Sequence, residues 1–386
     1  MKLSNLWNYV MRQLFILFCG CILMSCGSYS YSGQTNVNND KLISKQTCSI
    51  AVGIPYWDQN KAIESFRNNV DLIGYISVFW YNLGPEGKIR KYKFAKEDRN
   101  LINFAHKRNV KVFGLIANLP DDEQEGSGLD WDSKRVAKII SVKARRGKHI
   151  AELVKLAKRM NFDGIHIDYE ALSGKYRKEF SLFIKELGHA LHAAHKLLAV
   201  AIHPKTSEFN PREDNGSGAQ DWDVLHRYAD QLHLMTYNQH TGSDKPGPAA
   251  APRWAEKIIR YAVNKRKIPR DKLYMGIPLY AEAWEQRSSG RYRWLKVDLT
   301  FTDVKRLMNK YKASEIWDNK QASPYITFQD KKGRRRVIWF ENNHSLEKKL
   351  TLGEKYGICN IALWRLGDED PGIWQRFRVA GSWSSE

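Results

Sequence analysis

From Cys48 onward the chain alternates short apolar runs rich in Val, Ile and Phe with longer segments whose apolar residues recur at three- and four-residue spacing. That rhythm is the pattern of repeated strand–helix units and a parallel sheet. The strand candidates are Ser49–Pro55, Leu72–Tyr81, Lys111–Ala117, Gly164–Glu170, Leu197–His203, Gln231–Tyr237, Leu273–Tyr280 and Asn360–Leu366. Between them, Arg99–Lys107, Gly147–Met160, Tyr176–Lys196 and Pro252–Asn264 read as crossover helices. This predicts an α/β protein with a TIM (β/α)8 barrel, which takes about 250 residues or more as one unit. From Glu285 to Phe340 the rhythm breaks: Tyr325–Phe328, a turn at Asp330–Gly333, and Val337–Phe340 make a hairpin signal. A small α+β or β-hairpin insertion after strand seven, over about 285–340, is expected there as a wall of the cleft.

The first 25 residues follow a different pattern. Lys2 and Arg12 precede an apolar run, Leu14–Met24, too short for a permanent membrane span, which reads as an export signal. Leu23-Met24-Ser25-Cys26-Gly27 resembles the bacterial lipobox, so Cys26 is expected to carry lipid. Residues 26–47, rich in Ser, Tyr, Asn and Gly, read as a flexible tether, and 48–386 as the barrel. The protein is therefore expected to be exported and held to a bacterial membrane through Cys26. If the host is Gram-negative, Gly27 after that Cys fits sorting to the outer membrane, facing the periplasm.

Composition narrows the picture further. With 42% apolar and 27% charged residues the chain can bury a large core. The body keeps only Cys48 and Cys359, which excludes a disulfide framework and a thiolate metal site. These two cysteines open strands one and eight, which become neighbours when a barrel closes, so one bridge or two buried thiols are both open. The net charge of +20 invites a nucleic-acid reading, but the basic runs Lys143–Lys148 and Lys331–Arg336 carry no interleaved aromatics. Nucleic acid is disfavoured, and an anionic surface polymer, lipid headgroups or a plain solvated surface remain. His203, His233 and His240 lack metal-ligand spacing. No metal and no cofactor are expected, and a monomer is.

The sharpest constellation is Asp163-Gly164-Ile165-His166-Ile167-Asp168-Tyr169-Glu170, an apolar strand with polar residues at every second position. Period two puts His166, Asp168 and Glu170 on one face, and in a barrel that face points inward. The carboxyl end of a barrel strand is where catalytic groups sit. Burying two neighbouring carboxylates there raises a pKa in the way a general acid requires. Tyr56, Trp57, Trp80, Tyr81, Tyr280 and Trp284 lie near strand ends and are candidates for sugar subsites or for core packing. His203 and Lys205, after strand five, are further candidates for substrate contact, and Arg365 for a structural ion pair or a ligand contact.

These residues resemble glycoside hydrolase family 18, whose signature on the fourth barrel strand is Asp-x-x-Asp-x-Asp-x-Glu. Asp163, Asp168 and Glu170 fill three of its acidic positions, and His166 stands where most chitinases of the family have Asp. The likeness continues through Leu234-Met235-Thr236-Tyr237-Asn238, Met275-Gly276-Ile277-Pro278-Leu279-Tyr280 and Ala362-Leu363-Trp364-Arg365-Leu366-Gly367. Phe79-Trp80-Tyr81, Gly247–Pro252 and Leu366–Asp370 are similar to the branch of spore-cortex and germination-type glucosaminidases, which acts on peptidoglycan. The resemblance implies a retaining, substrate-assisted N-acetylglucosaminidase, with a chitinase or a non-hydrolytic lectin-like barrel as alternatives. It implies Glu170 as acid and base, Asp168 as the group holding the 2-acetamido nitrogen, Tyr237 at the acetamido carbonyl and Trp364 beneath the sugar. Asn238, His166 and Asp163 complete the implied substrate side, and a neutral His166 would donate a hydrogen bond to Asp168 or be a plain core histidine.

Overall fold

A computed structural model describes residues 48–120, 131–208 and 216–383. The expected export signal, Cys26 and the tether lie outside these residues.

The barrel strands are β1 (Ile50–Pro55), β2 (Tyr75–Leu83), β4 (Lys111–Ala117), β5 (Gly164–Asp168), β6 (Leu197–Ile202), β7 (Gln231–Leu234), β8 (Leu273–Pro278) and β14 (Ile361–Trp364). They pair in parallel in the order β1-β14-β8-β7-β6-β5-β4-β2, and β1 pairs with β2 to close the ring. β3 (Ile89–Lys91) runs antiparallel on β2. The outer layer is α1 (Gln59–Asn68), α2 (Arg99–His106), α3 (Ser133–Ile140), α4 (Lys143–Met160), α5 (Arg177–His192), α6 (Trp222–Tyr228) and α7 (Pro252–Arg260). Local chemistry starts these helices where they start: Asp98 accepts from the Leu101 N–H, Asp221 from Asp223 and Val224, and Pro252 occupies the first turn of α7.

The barrel is filled by layers drawn from alternate strands. In the lower interior Ser77 of β2 meets His166 of β5 at 3.0 Å, and the His166 ring lies 4.3 Å from His233 of β7. At the closed end one device appears twice. Asp163, just before β5, accepts from the Val112 N–H of β4 at 2.7 Å and pairs with His106 of α2 at 2.9 Å. Asp230, just before β7, accepts from the Leu198 N–H of β6 at 2.7 Å and pairs with His192 of α5 at 2.9 Å. Each carboxylate fastens a strand start to the end of a helix. Cys48 and Cys359, also at this end, are disulfide-bonded, with Cα atoms 5.1 Å apart.

The insertion begins at Tyr280, earlier than the sequence pattern places it. It is a five-stranded antiparallel sheet ordered β10-β9-β13-β12-β11. Its strands are β9 (Tyr280–Gln286), β10 (Tyr292–Thr300), β11 (Ile316–Asp318), β12 (Ser323–Gln329) and β13 (Arg335–Trp339). Helix α8 (Phe301–Tyr311), started by a Thr300–Asp303 capping box, covers one face through Val304, Ala281, Ala283, Ile326 and Ile338. The chain returns through α9 (Asn343–Tyr356) to β14 and ends in α10 (Gly372–Trp383).

Candidate active site

The ladder between β4 and β5 stops at the Ala117–Asp168 pair, two residues short of Glu170. Asn118 carries it onward with its side chain. Its Oδ1 accepts from the Glu170 N–H at 2.8 Å, and its Nδ2 donates to the Glu170 carbonyl at 3.0 Å. Both residues are buried, so the backbone that aims the Glu170 carboxyl is held from two sides. His203, at the end of β6, places Nε2 3.2 Å from Glu170 Oε2. The His203 backbone is in turn fixed by Gln220, which accepts from its N–H at 2.7 Å. Gly216 lies against this ring with φ +91, and a Cβ there would stand 2.7 Å from the imidazole, so only glycine lets His203 approach.

Asp168 is fully buried beside this mouth. Tyr237, almost fully buried, arrives from the loop after β7, its ring laid against the backbone of Gly276, where a Cβ would come within 2.7 Å. Asn238 has φ 67, a left-handed conformation that Asn tolerates better than most residues. The Tyr280 hydroxyl donates to Asn238 Oδ1, and Thr241 reaches the same oxygen at 3.5 Å. Thr241 and the Trp294 indole both donate to Glu282, a carboxyl only 1% exposed. Burial pushes the Glu282 pKa up to about 7 against those donors.

The floor is aromatic. Trp364, at the end of β14, meets Trp57 and Phe79, each with ring centroids 6.1 Å away. Trp57 donates to Asp298 at 2.7 Å, and the neighbouring Arg365 is buried between Asp298 and Asp58. Arg365 thus ties the barrel rim to β10 of the insertion, which is a structural ion pair and not a ligand contact.

Four sequence-derived site assignments are corrected. Asp163 sits at the closed end of the barrel; at about 3.3 Å per residue, the run to Glu170 spans about 23 Å, so Asp163 lies far from the open end. His166 is fully buried one layer beneath Asp168, with Nδ1 on Ser77 and no partner for Nε2 among the described residues. Burial lowers its pKa to about 3, so it is a neutral core histidine. Trp80 is fully buried and packs beside Phe162: Ser77 and Phe79 hold the inward positions of β2, so alternation turns Trp80 outward, and the register shift between Val78 and Tyr81 sends Tyr81 to the same side. Trp284 is also fully buried, its indole donating to the Ser243 carbonyl at 2.9 Å. Glu170, Asp168, Tyr237, Asn238, Tyr280 and Trp364 do converge at the open end. Asn118 and Glu282 complete that end without having been singled out, and Phe79, picked out in the sequence only within a motif, joins the floor. An Asn directly after an apolar strand, at the strand end where barrels place function, was the available signal for Asn118. Among the described residues no three His, Cys, Asp or Glu are placed to hold a metal ion.

A family model for glycosyl hydrolases family 18 matches residues 126–370. Among curated relatives, the "Uncharacterized glycosylase YvbX" of Bacillus subtilis is 27% identical over 277 residues, covering 72% of this chain and 77% of that protein. The cortical fragment-lytic enzyme of Bacillus subtilis is 24% identical over 312 residues, covering 81% and 68%. A solved chitinase from Chromobacterium violaceum superposes with a TM-score of 0.72 at 26% identity, covering 85% of this chain and 97% of that one.

Proposed function

This chain belongs to glycosyl hydrolases family 18 and is a glycoside hydrolase, and from that premise we propose that it is a retaining N-acetylglucosaminidase acting on peptidoglycan. The observation that carries the reading is the buried Asp168–Glu170 pair at the barrel mouth, facing Tyr237 above the Trp364 floor. In the proposed reaction Glu170 gives its proton to the leaving glycosidic oxygen. The 2-acetamido carbonyl oxygen of the substrate attacks the anomeric carbon, forming an oxazolinium as the C–O bond breaks. Asp168 stabilises the acetamido nitrogen, and the Tyr237 hydroxyl donates to the acetamido oxygen. Water, giving its proton to Glu170, then opens the ring from the face of the departed group, so configuration is retained. His203 holds one carboxyl oxygen of Glu170 and so directs the other toward the sugar.

The cortical fragment-lytic relative and the motifs Phe79-Trp80-Tyr81 and Gly247–Pro252 support peptidoglycan as substrate. The chitinase superposition supports a second reading, hydrolysis of chitin oligomers. Export and lipidation at Cys26 belong to the same proposal, supported by the apolar run Leu14–Met24 ahead of that Cys. The deciding experiment digests purified peptidoglycan and chitin oligomers with the protein and with Glu170→Gln, reading products by mass spectrometry. Muropeptides with a new reducing-end N-acetylglucosamine, absent with the variant, are expected. Products from chitin alone would select the second reading.

A further inference from the structure

The two faces of the inserted sheet differ in character. One is covered by α8; the other carries Glu282, Trp284 and Gln286 on β9, Trp294 and Tyr292 on β10, and Trp339, Val337 and Arg335 on β13. Glu282 at one end of this face reaches Asn238 through Thr241. From Glu282 to Gln286 the face runs about 13 Å away from the cleft, at about 3.3 Å per residue. Tyr292, Trp294 and Tyr325 stay partly exposed along it.

At the far end two hairpin turns lie side by side, because Arg336 of β13 pairs with Glu285 of β9 and Tyr292 of β10 with Gln286. Here Glu285 and Asp330 are the local carboxylates, and both are taken up by arginines. Arg293, Arg334 and Arg336 reach Glu285 at 2.9, 2.7 and 2.7 Å. Arg334 and Arg336 also reach Asp330, at 2.9 and 2.8 Å. Around this fastened core Arg287, Arg291, Lys331, Lys332 and Arg335 are exposed, and none forms an ion pair among the described residues. Four unneutralised cations on two tight turns, with Arg335 beside them at the start of β13, make a concentrated positive field. Guanidinium forks match carboxylates in shape, and the partly exposed rings between this edge and the cleft suit a sugar chain more than a bilayer.

We propose that these two basic turns are a docking surface for the carboxylates borne by the peptide stems of peptidoglycan, holding the same polymer whose glycan strand enters the cleft. The inference rests on the peptidoglycan reading above. It assigns the insertion a second role besides walling the cleft: it selects a glycan that carries acid side branches over a neutral one.

The test introduces Arg287→Glu, Lys331→Glu, Lys332→Glu and Arg335→Glu together into the full chain carrying Glu170→Gln, which holds polymer without cutting it. Co-sedimentation with insoluble peptidoglycan is expected to weaken about tenfold at low salt and to lose its salt dependence. With Glu170 intact, the four changes should leave turnover of a short neutral N-acetylglucosamine oligomer unaltered, which also certifies the fold. Unchanged retention on peptidoglycan overturns the proposal. So does an equal loss on uncharged chitin, or a loss confined to phosphatidylglycerol vesicles, which would make the turns a membrane contact. Because retention is read on a non-cutting protein, failure of the hydrolysis reading appears as missing products and failure of this one as unchanged sedimentation.

Discussion

The two ends of the barrel use the same residue types for opposite purposes. At the closed end, Asp163 and Asp230 are each satisfied by a backbone N–H and a histidine, and each joins a strand to a helix. At the open end, Asp168 closes the strand that Asp163 precedes and Glu170 lies two residues on, yet they face a mouth lined by Tyr237, His203 and Trp364. The strand is too short to blur the two environments. A carboxylate with its partners supplied by the scaffold contributes to stability, whereas one aimed at a cleft is available for chemistry.

The largest effect that could break this comparison is at Glu170. Glu170→Gln should lower kcat by about 1000-fold or more while leaving the melting temperature in place. A large loss of stability with it would mean the open end is structural as well.

The pH dependence of unfolding sharpens the contrast, because the interior and the open rim should respond with opposite sign. Burial holds His166 at about 3 and His149 at about 4, and His233 well below its ordinary value. Their contribution is complete above the unfolded value near 6.5 and is lost as pH falls through the folded values. Glu282 is raised to about 7 from 4.5, so its contribution is complete below 4.5 and is lost as pH rises through 7. Between pH 4 and pH 8 that carboxyl alone removes about 3 kcal/mol, and urea titrations of Glu282→Gln should lack this loss. An unaltered alkaline slope in the variant would place the titrating group elsewhere.

Asp163→Asn comes next. It should cost about 1–3 kcal/mol in chemical denaturation, since the Val112 N–H and His106 lose a charged partner, with kcat/KM on oligomers within about twofold. A selective loss of activity would contradict the assignment of Asp163 to the scaffold. The smallest effect is at His203. Replacement by Phe should lower kcat about tenfold with KM unaltered, and Gln, which keeps a donor near Glu170 Oε2, should recover part of it. Equal losses in both variants would leave His203 with a packing role only.

How much of this was legible in the sequence depended on what a periodic pattern can encode. Period two put His166, Asp168 and Glu170 on one face, but a face has no depth, and nothing in the run says that His166 lies one layer down against Ser77 and His233. The acidic spacing drew Asp163 into the site although it precedes the strand altogether. Trp80 was misplaced because a wholly apolar run does not say which alternate positions face inward; Ser77 and Phe79 do, and Trp80 follows on the outer side, while the unmarked register change before Tyr81 turns that ring outward as well. The groups that orient Glu170, Asn118 and His203, come from β4 and β6 and meet it only when the barrel closes. The hairpin of β12 and β13 was readable from its apolar runs and Gly turn. Its partners β9 and β10 were not, since Trp, Arg and Glu alternate there without an apolar stripe.

The Cys48–Cys359 bond has a mechanical consequence. Cys48 stands where the chain enters β1, at the closed end, so a pull on the preceding segment acts on the face opposite the cleft. Without the bond such a pull would load β1 and its ladder alone; with it, the force is shared through sulfur with β14. With Cys26 held in a bilayer as proposed, the catalytic mouth would point outward on a leash of at most about 75 Å, the reach of a fully extended chain of that length. The enzyme would then sweep a shell of polymer above its own membrane while its barrel stays closed under tension.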